Sequence, residues 1–116
     1  MSNFTITTAN SKGVFIIRPC GYVDENGGAA IFATVQKALP EGHQKFILNL
    51  TASPVINSQG IAQIIELAEI IVDEKNGELA FTGLSELAAG VFKMVGLLQM
   101  GEAYPTEQAA VDAMAD

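Results

Sequence analysis

The chain has 116 residues, 49% of them hydrophobic and 16% charged, with thirteen acidic side chains against six basic ones. That length and apolar content predict a single folded domain spanning 1–116, able to bury roughly two-thirds of its unfolded surface. A net charge of −7 excludes the basic footprint that nucleic-acid binding needs and disfavours anionic membrane surfaces.

No apolar run approaches the ~20 residues of a spanning helix. The opening MSNFTITTAN lacks the basic start and apolar block of a secretory leader. A cytoplasmic location is the expectation. Cys20 is the only cysteine, so no disulfide can close within the chain, and its place at the end of the run IIRPC predicts a small buried thiol.

Phe4 to Thr8 alternates apolar and polar residues and reads as a strand. Asn10-Ser11-Lys12-Gly13 supplies a turn, and Val14 to Ile17 starts a second strand, giving an antiparallel hairpin. Pro19 marks an edge or a strand end, because it has no ladder donor. In GYVDENGGAAIFATVQKALPEG the glycines predict a loop or a ragged first helical turn. Ile31, Val35, Ala38 and Leu39 then share one helical face, which Pro40 and Gly42 terminate.

Lys45 to Leu50, KFILNL, is short and β-rich and reads as a central strand covered on both faces. The next helix has the clearest periodicity. From Ile61, apolar residues recur at Ile64, Ile65, Ala68, Ile71 and Val72, with Gln63, Glu66, Glu69 and Asp73 opposite and Ile70 near the polar side. Asn76-Gly77 turns the chain into a strand through Leu79 and Phe81. Ser85 caps a third helix with a stripe at Leu87, Ala88, Val91, Phe92 and Val95, which Gly96 ends. A last strand is expected around Leu97 to Glu102, and Pro105-Thr106-Glu107 opens a final helix that frays near Asp116. The order β-β-α-β-α-β-α-β-α predicts an α/β fold: a mixed β-sheet packed against helices, with right-handed crossovers.

Enzyme-like constellations are sparse. His43 is the sole histidine, in a short loop beside Gly42, and reads as an exposed, idle imidazole. One cysteine and one histidine build no recognised metal site, and no catalytic residue or cofactor is assigned. Gly21, Gly27 and Gly28 lack the Lys-Ser or Lys-Thr ending of a phosphate loop. Gly21 lets the chain leave its strand, and Gly27-Gly28 loosen or bend a helix entrance.

The stretch VINSQGIAQI, Val55 to Ile64, joins the central strand to the second helix. Either Asn57 or Ser58 caps that helix, a role worth ~1 kcal/mol. The same position suits an added phosphate, because free amides and the helix dipole attract anions. About two negative charges placed on an exposed helix entrance would alter what a partner meets there.

In its order of pieces the chain resembles the STAS domains of bacterial anti-sigma factor antagonists. The resemblance runs from the opening hairpin through Gly21-Tyr22-Val23-Asp24 and FILNL to Asn57-Ser58-Gln59-Gly60, and on to Val91-Phe92-Lys93-Met94-Val95-Gly96-Leu97. It implies a mixed β-sheet on one side with helices on the other. It also implies a phosphoacceptor hydroxyl immediately after an Asp. Here that hydroxyl is Ser58, with Asn57 replacing the usual acid and Gln59 replacing a second serine. Asp24 matches an acidic residue after the second strand.

The function so implied is that of a non-catalytic anti-sigma factor antagonist. A kinase-like anti-sigma factor binds it and phosphorylates Ser58, and a phosphatase reverses the modification. Asp24, Asn57, Ser58, Gln59 and Gly60 are the expected partner contacts. The alternative is a constitutive STAS scaffold or signalling-complex component that is never phosphorylated. The oligomeric state is open: a weak dimer is compatible with the surface, and no coiled-coil repeat requires one.

Overall fold

In a computed structural model, which describes residues 3–115, β1 (Thr5–Ser11) and β2 (Val14–Cys20) form an antiparallel hairpin. Lys12 and Gly13 close it, both at positive φ (51° and 81°). Such a two-residue turn matches the right-handed twist of its strands. It is tighter than the four-residue turn the sequence suggests, so both strands run longer.

The chain continues through α1 (Glu25–Ala38), β3 (Lys45–Asn49), α2 (Ser58–Ala68), β4 (Glu78–Thr82), α3 (Glu86–Met94), the short α4 (Leu97–Met100), β5 (Glu102–Tyr104) and α5 (Glu107–Met114). This is the predicted order with one added helical turn. The described residues form a five-stranded sheet, β1-β2-β3-β4-β5, antiparallel at β1 and parallel thereafter. β3 sits in the middle with Phe46, Ile47 and Leu48 all buried, as a strand covered on both faces requires. Pairing of β2 with β3 ends at Ile17 opposite Leu48. Pro19, two residues on, has no N–H to extend it.

One face of the sheet offers Phe15, Ile17, Phe46, Leu48, Leu79 and Phe81 to the crossover helices α1, α2 and α3. Consecutive right-handed crossovers between neighbouring strands must stack on one side. α5 follows the last strand and escapes that constraint. It covers the other face, where Ala110, Val111 and Met114 meet Val14, Ile16, Ile47 and Ala80. The sheet is therefore sandwiched, which corrects the one-sided packing implied by the resemblance.

A polar clasp fixes the start of α5. Arg18 donates from Nε and Nη2 to the two carboxylate oxygens of Glu107 (2.9 and 2.6 Å), and the Asn49 side-chain amide donates to the same carboxylate (2.8 Å). The Arg18 bond, with help from Asn49, holds the Glu107 carboxyl below its ordinary value of 4.5, against a smaller opposing effect of burial. A depressed folded-state pKa gives stability that is complete above the unfolded value and is lost as pH falls through the folded one. Glu107→Gln should therefore cost about 1 kcal/mol near neutrality, with the difference from wild type closing below pH 4.5. Urea unfolding across pH 3 to 7 checks both the size and the sign.

Several local expectations change. Leu97 to Glu102 is not one strand. Gly96 at φ +85° ends α3, Leu97–Met100 makes a further helical turn, and β5 begins only at Glu102. Within α3, Ala88 and Phe92 are buried, but Leu87 is 76% exposed and Val95 is also exposed. A nine-residue helix at the sheet's flank buries a narrower stripe than periodicity alone suggests. Cys20 is exposed rather than buried. It shares the strand face of Arg18 but lies past the start of α5, so nothing covers it. His43 is half-buried and not fully exposed: its ring tilts against Phe15 at 4.6 Å. The predicted fraying near Asp116 lies outside the described residues.

Candidate functional site

The parallel strands β2, β3 and β4 all lead into helices at the same end of the sheet, and the loops there interlock. Gly21 N donates to Ala52 O (3.0 Å), Val23 N to Val55 O (3.1 Å) and Asn57 N to Val23 O (3.0 Å). Gly21 allows the turn out of β2 through φ +116°. These bonds lay the segment before α2 alongside the segment before α1, so both helices begin side by side.

Each start has its own cap. Asp24 Oδ1 accepts from Gly27 N (2.8 Å) at α1, and Asn57 Oδ1 accepts from Gly60 N (2.9 Å) at α2. The choice between Asn57 and Ser58 is thereby settled. Asn57 is the cap, and Ser58 is the first helical residue, exposed to solvent. Gln59 beside it is also exposed, whereas Gly60 is buried.

Glycine is needed where α1 and α2 cross. A Cβ on Gly28 would fall 2.9 Å from Gln63 Cβ and 3.2 Å from Gly60 Cα, and one on Gly60 would fall 2.4 Å from Val23 O. Gly28 thus permits close helix packing, and Gly27 a close approach to the Tyr22 carbonyl and the Phe4 ring, instead of loosening the entrance; both are buried in a capped first turn. Gly60 shapes the site from beneath and cannot be a surface contact.

Of the five sequence-derived residues, Ser58 and Gln59 face solvent, Asp24 and Asn57 are half-buried caps beside them, and Gly60 is structural. Sequence reasoning missed the apolar rim. Tyr22 is 50% and Val55 56% exposed, and Leu87 stands at the start of α3. Ser85 ties that third loop in: its hydroxyl accepts from Ala88 N (3.1 Å) as the cap of α3 and donates to Pro54 O (3.2 Å). The available signal was an apolar residue in the loop or first helical turn that follows each of these parallel strands. Large apolar side chains exposed together around a polar centre mark interaction surfaces more often than catalytic ones.

Among the described residues no group of three or more His, Cys, Asp or Glu is placed to hold a metal ion. No described helix is long and apolar enough to cross a membrane.

A sequential mixed sheet with an exposed hydroxyl at a capped helix start, and apolar side chains exposed at the same end, defines a small α/β domain. The chain belongs to the STAS-domain family, whose family model matches residues 5–110. Solved structures agree on the fold. An anti-sigma factor antagonist from Mycobacterium paratuberculosis superposes with a TM-score of 0.84 at 18% identity, covering 98% of this chain and 96% of that one. The phosphorylated form of the Bacillus cell-fate determinant SpoIIAA gives 0.73 at 21% identity, covering 95% and 97%. The murine anion transporter Slc26a9 gives 0.71 at 12% identity, with 97% of this chain matching 22% of the transporter. Comparison with curated proteins by sequence finds no match.

Proposed function

We propose that this domain is a non-catalytic anti-sigma factor antagonist, acting in the cytoplasm, whose state is set by phosphorylation of Ser58. The observation that carries this reading is the division of labour at α2. Asn57 caps the helix, so the Ser58 hydroxyl stands exposed at the helix start with no capping duty of its own. The structural likeness to SpoIIAA, which is known in a phosphorylated form, supports it.

In this scheme a kinase-like anti-sigma factor docks on the rim of Tyr22, Val55 and Leu87 around Ser58. The Ser58 oxygen attacks the γ-phosphorus of ATP, the bond to ADP breaks, and the hydroxyl proton leaves to solvent or a kinase base. The phosphate then sits where helix amides and the dipole favour an anion. The modification thus leaves the fold intact while it places like charge and bulk in the apolar rim, which weakens the bound state. A phosphatase restores the hydroxyl.

The test uses purified protein, ATP and a candidate kinase-like anti-sigma factor, with binding measured by calorimetry and modification by peptide mass. The expected result is one added phosphate on Ser58, none on Ser58→Ala, and binding at least about tenfold weaker after modification. Binding without any mass increase at Ser58 would remove the switch and keep the docking surface. That outcome would favour the second reading, a constitutive STAS scaffold, which the fold's occurrence as part of a larger transporter and the amide at Asn57 both support.

A further inference from the structure

The two edges of the sheet are guarded differently. Native edges are usually protected by shortness, charge, proline or a bulge, because unpaired main-chain groups invite another strand. β5 has such protection: it is three residues long, begins at exposed Glu102 and is followed directly by Pro105. β1 has none. It is seven residues long, Thr5 to Ser11, with no charge and no proline, and its register against β2 runs from Thr5–Cys20 to Ser11–Val14 without a bulge.

The hairpin turn fixes which groups face out. With Lys12 and Gly13 as the two turn residues, Ser11 and Val14 are a hydrogen-bonded pair, and such pairs alternate along an antiparallel ladder. Thr5, Thr7, Ala9 and Ser11 therefore bond β2, while the main-chain groups of Ile6, Thr8 and Asn10 point away from it. Pro19 fits this phase, since it stands opposite Ile6, where its missing N–H costs β1 nothing. Among the described residues no strand pairs with this outer edge. A groove of about 360 Å³ runs beside it against α1, lined by Ile6, Thr8, Phe15, Thr34, Lys37 and Glu41 among others.

We propose that this edge pairs with the same edge of a second copy, antiparallel about a twofold axis at Thr8, joining two sheets into one. The charge distribution selects a second copy as the occupant. Each chain carries −7, yet this pairing sets Thr8 against Thr8, Ile6 against Asn10 and Thr5 against Ser11, so no like charges meet across the strands. The groove rim holds one charge of each sign, Lys37 and Glu41. A twofold contact therefore brings both signs to the seam instead of one sign alone. The interface is isologous and closes on itself, giving a dimer and no filament.

Sedimentation velocity of the full chain up to about 1 mM tests the proposal, together with variants at the axis. Wild type should dimerise with rising concentration. Thr8→Lys and Thr8→Glu should each weaken association at least about tenfold, because each opposes like charges at the axis. An equimolar mixture of those two variants should restore the dimer. Should either variant fail to fold by circular dichroism, amide exchange on wild type decides: protection of Ile6, Thr8 and Asn10 should rise with concentration. A monomer at every concentration, a dimer indifferent to both substitutions, a mixture that stays monomeric, or concentration-independent exchange at those amides would each overturn it.

Discussion

Gly60→Ala is expected to lower stability by about 3 kcal/mol. The new Cβ would stand 2.4 Å from the carbonyl oxygen of Val23, 2.9 Å from Val23 Cγ1 and 3.1 Å from Ile56 Cγ2. The nearest of these is backbone, so no rotamer change relieves the clash. That carbonyl also accepts the Asn57 N–H, and moving it would disturb the seam that aligns the two helix starts. Gly28→Ala meets Gln63 Cβ at 2.9 Å and Gly60 Cα at 3.2 Å, neither of which a rotamer change can move, and should destabilise too, by less because its closest approach is longer. Gly90 supplies the control. It lies inside α3 with nothing within 4 Å of its added Cβ, so Gly90→Ala should stabilise by about 0.5–1 kcal/mol through helix propensity. Urea midpoints of the three variants decide the matter. A Gly60→Ala protein as stable as wild type would show that the α1–α2 crossing is looser than described.

Phe92→Ala should cost about 3–5 kcal/mol. Its ring is fully buried and meets Phe81 edge-on, with centroids 5.1 Å apart and planes at 77°, a geometry that adds to the loss of buried area. Phe92 is also the largest side chain that α3 buries against the sheet, so its removal loosens the whole helix. Leu87, one turn and a half earlier on the same helix, should behave oppositely. Leu87→Ala leaves stability within about 0.5 kcal/mol, because that side chain is 76% exposed. On the reading proposed above it should instead weaken partner binding. Thermal unfolding and a binding titration on the same two variants separate anchor from contact, and equal stability losses would contradict the assignment.

That contrast shows where the sequence was legible. Element order, the central position of β3, the cap at Ser85, the opening of the last helix at Pro105-Thr106-Glu107 and the breaks at Gly42 and Gly96 follow from short-range chemistry: apolar periodicity, cap oxygens and positive-φ glycine. Ser58 was legible as an exposed helix-start hydroxyl for the same reason. What failed depended on neighbours distant along the chain. Whether Leu87 and Cys20 are covered is decided by the ends of other helices. The seats of Gly28 and Gly60 are decided by a crossing that neither local sequence encodes. His43 found an aromatic partner in Phe15, twenty-eight positions earlier. The apolar rim at Tyr22 and Val55 was invisible singly, since one exposed apolar residue means little until topology gathers several at one end of a sheet.

The cap at Asn57 has a consequence for how such a protein changes. Its side-chain oxygen does the structural work by receiving the Gly60 amide, and an aspartate in the same place would keep that acceptor while adding a charge that a helix start welcomes. Folding therefore accepts either of the two there. On the proposed function, the choice between amide and acid is read by the partner, so a single-atom exchange retunes recognition without touching the scaffold.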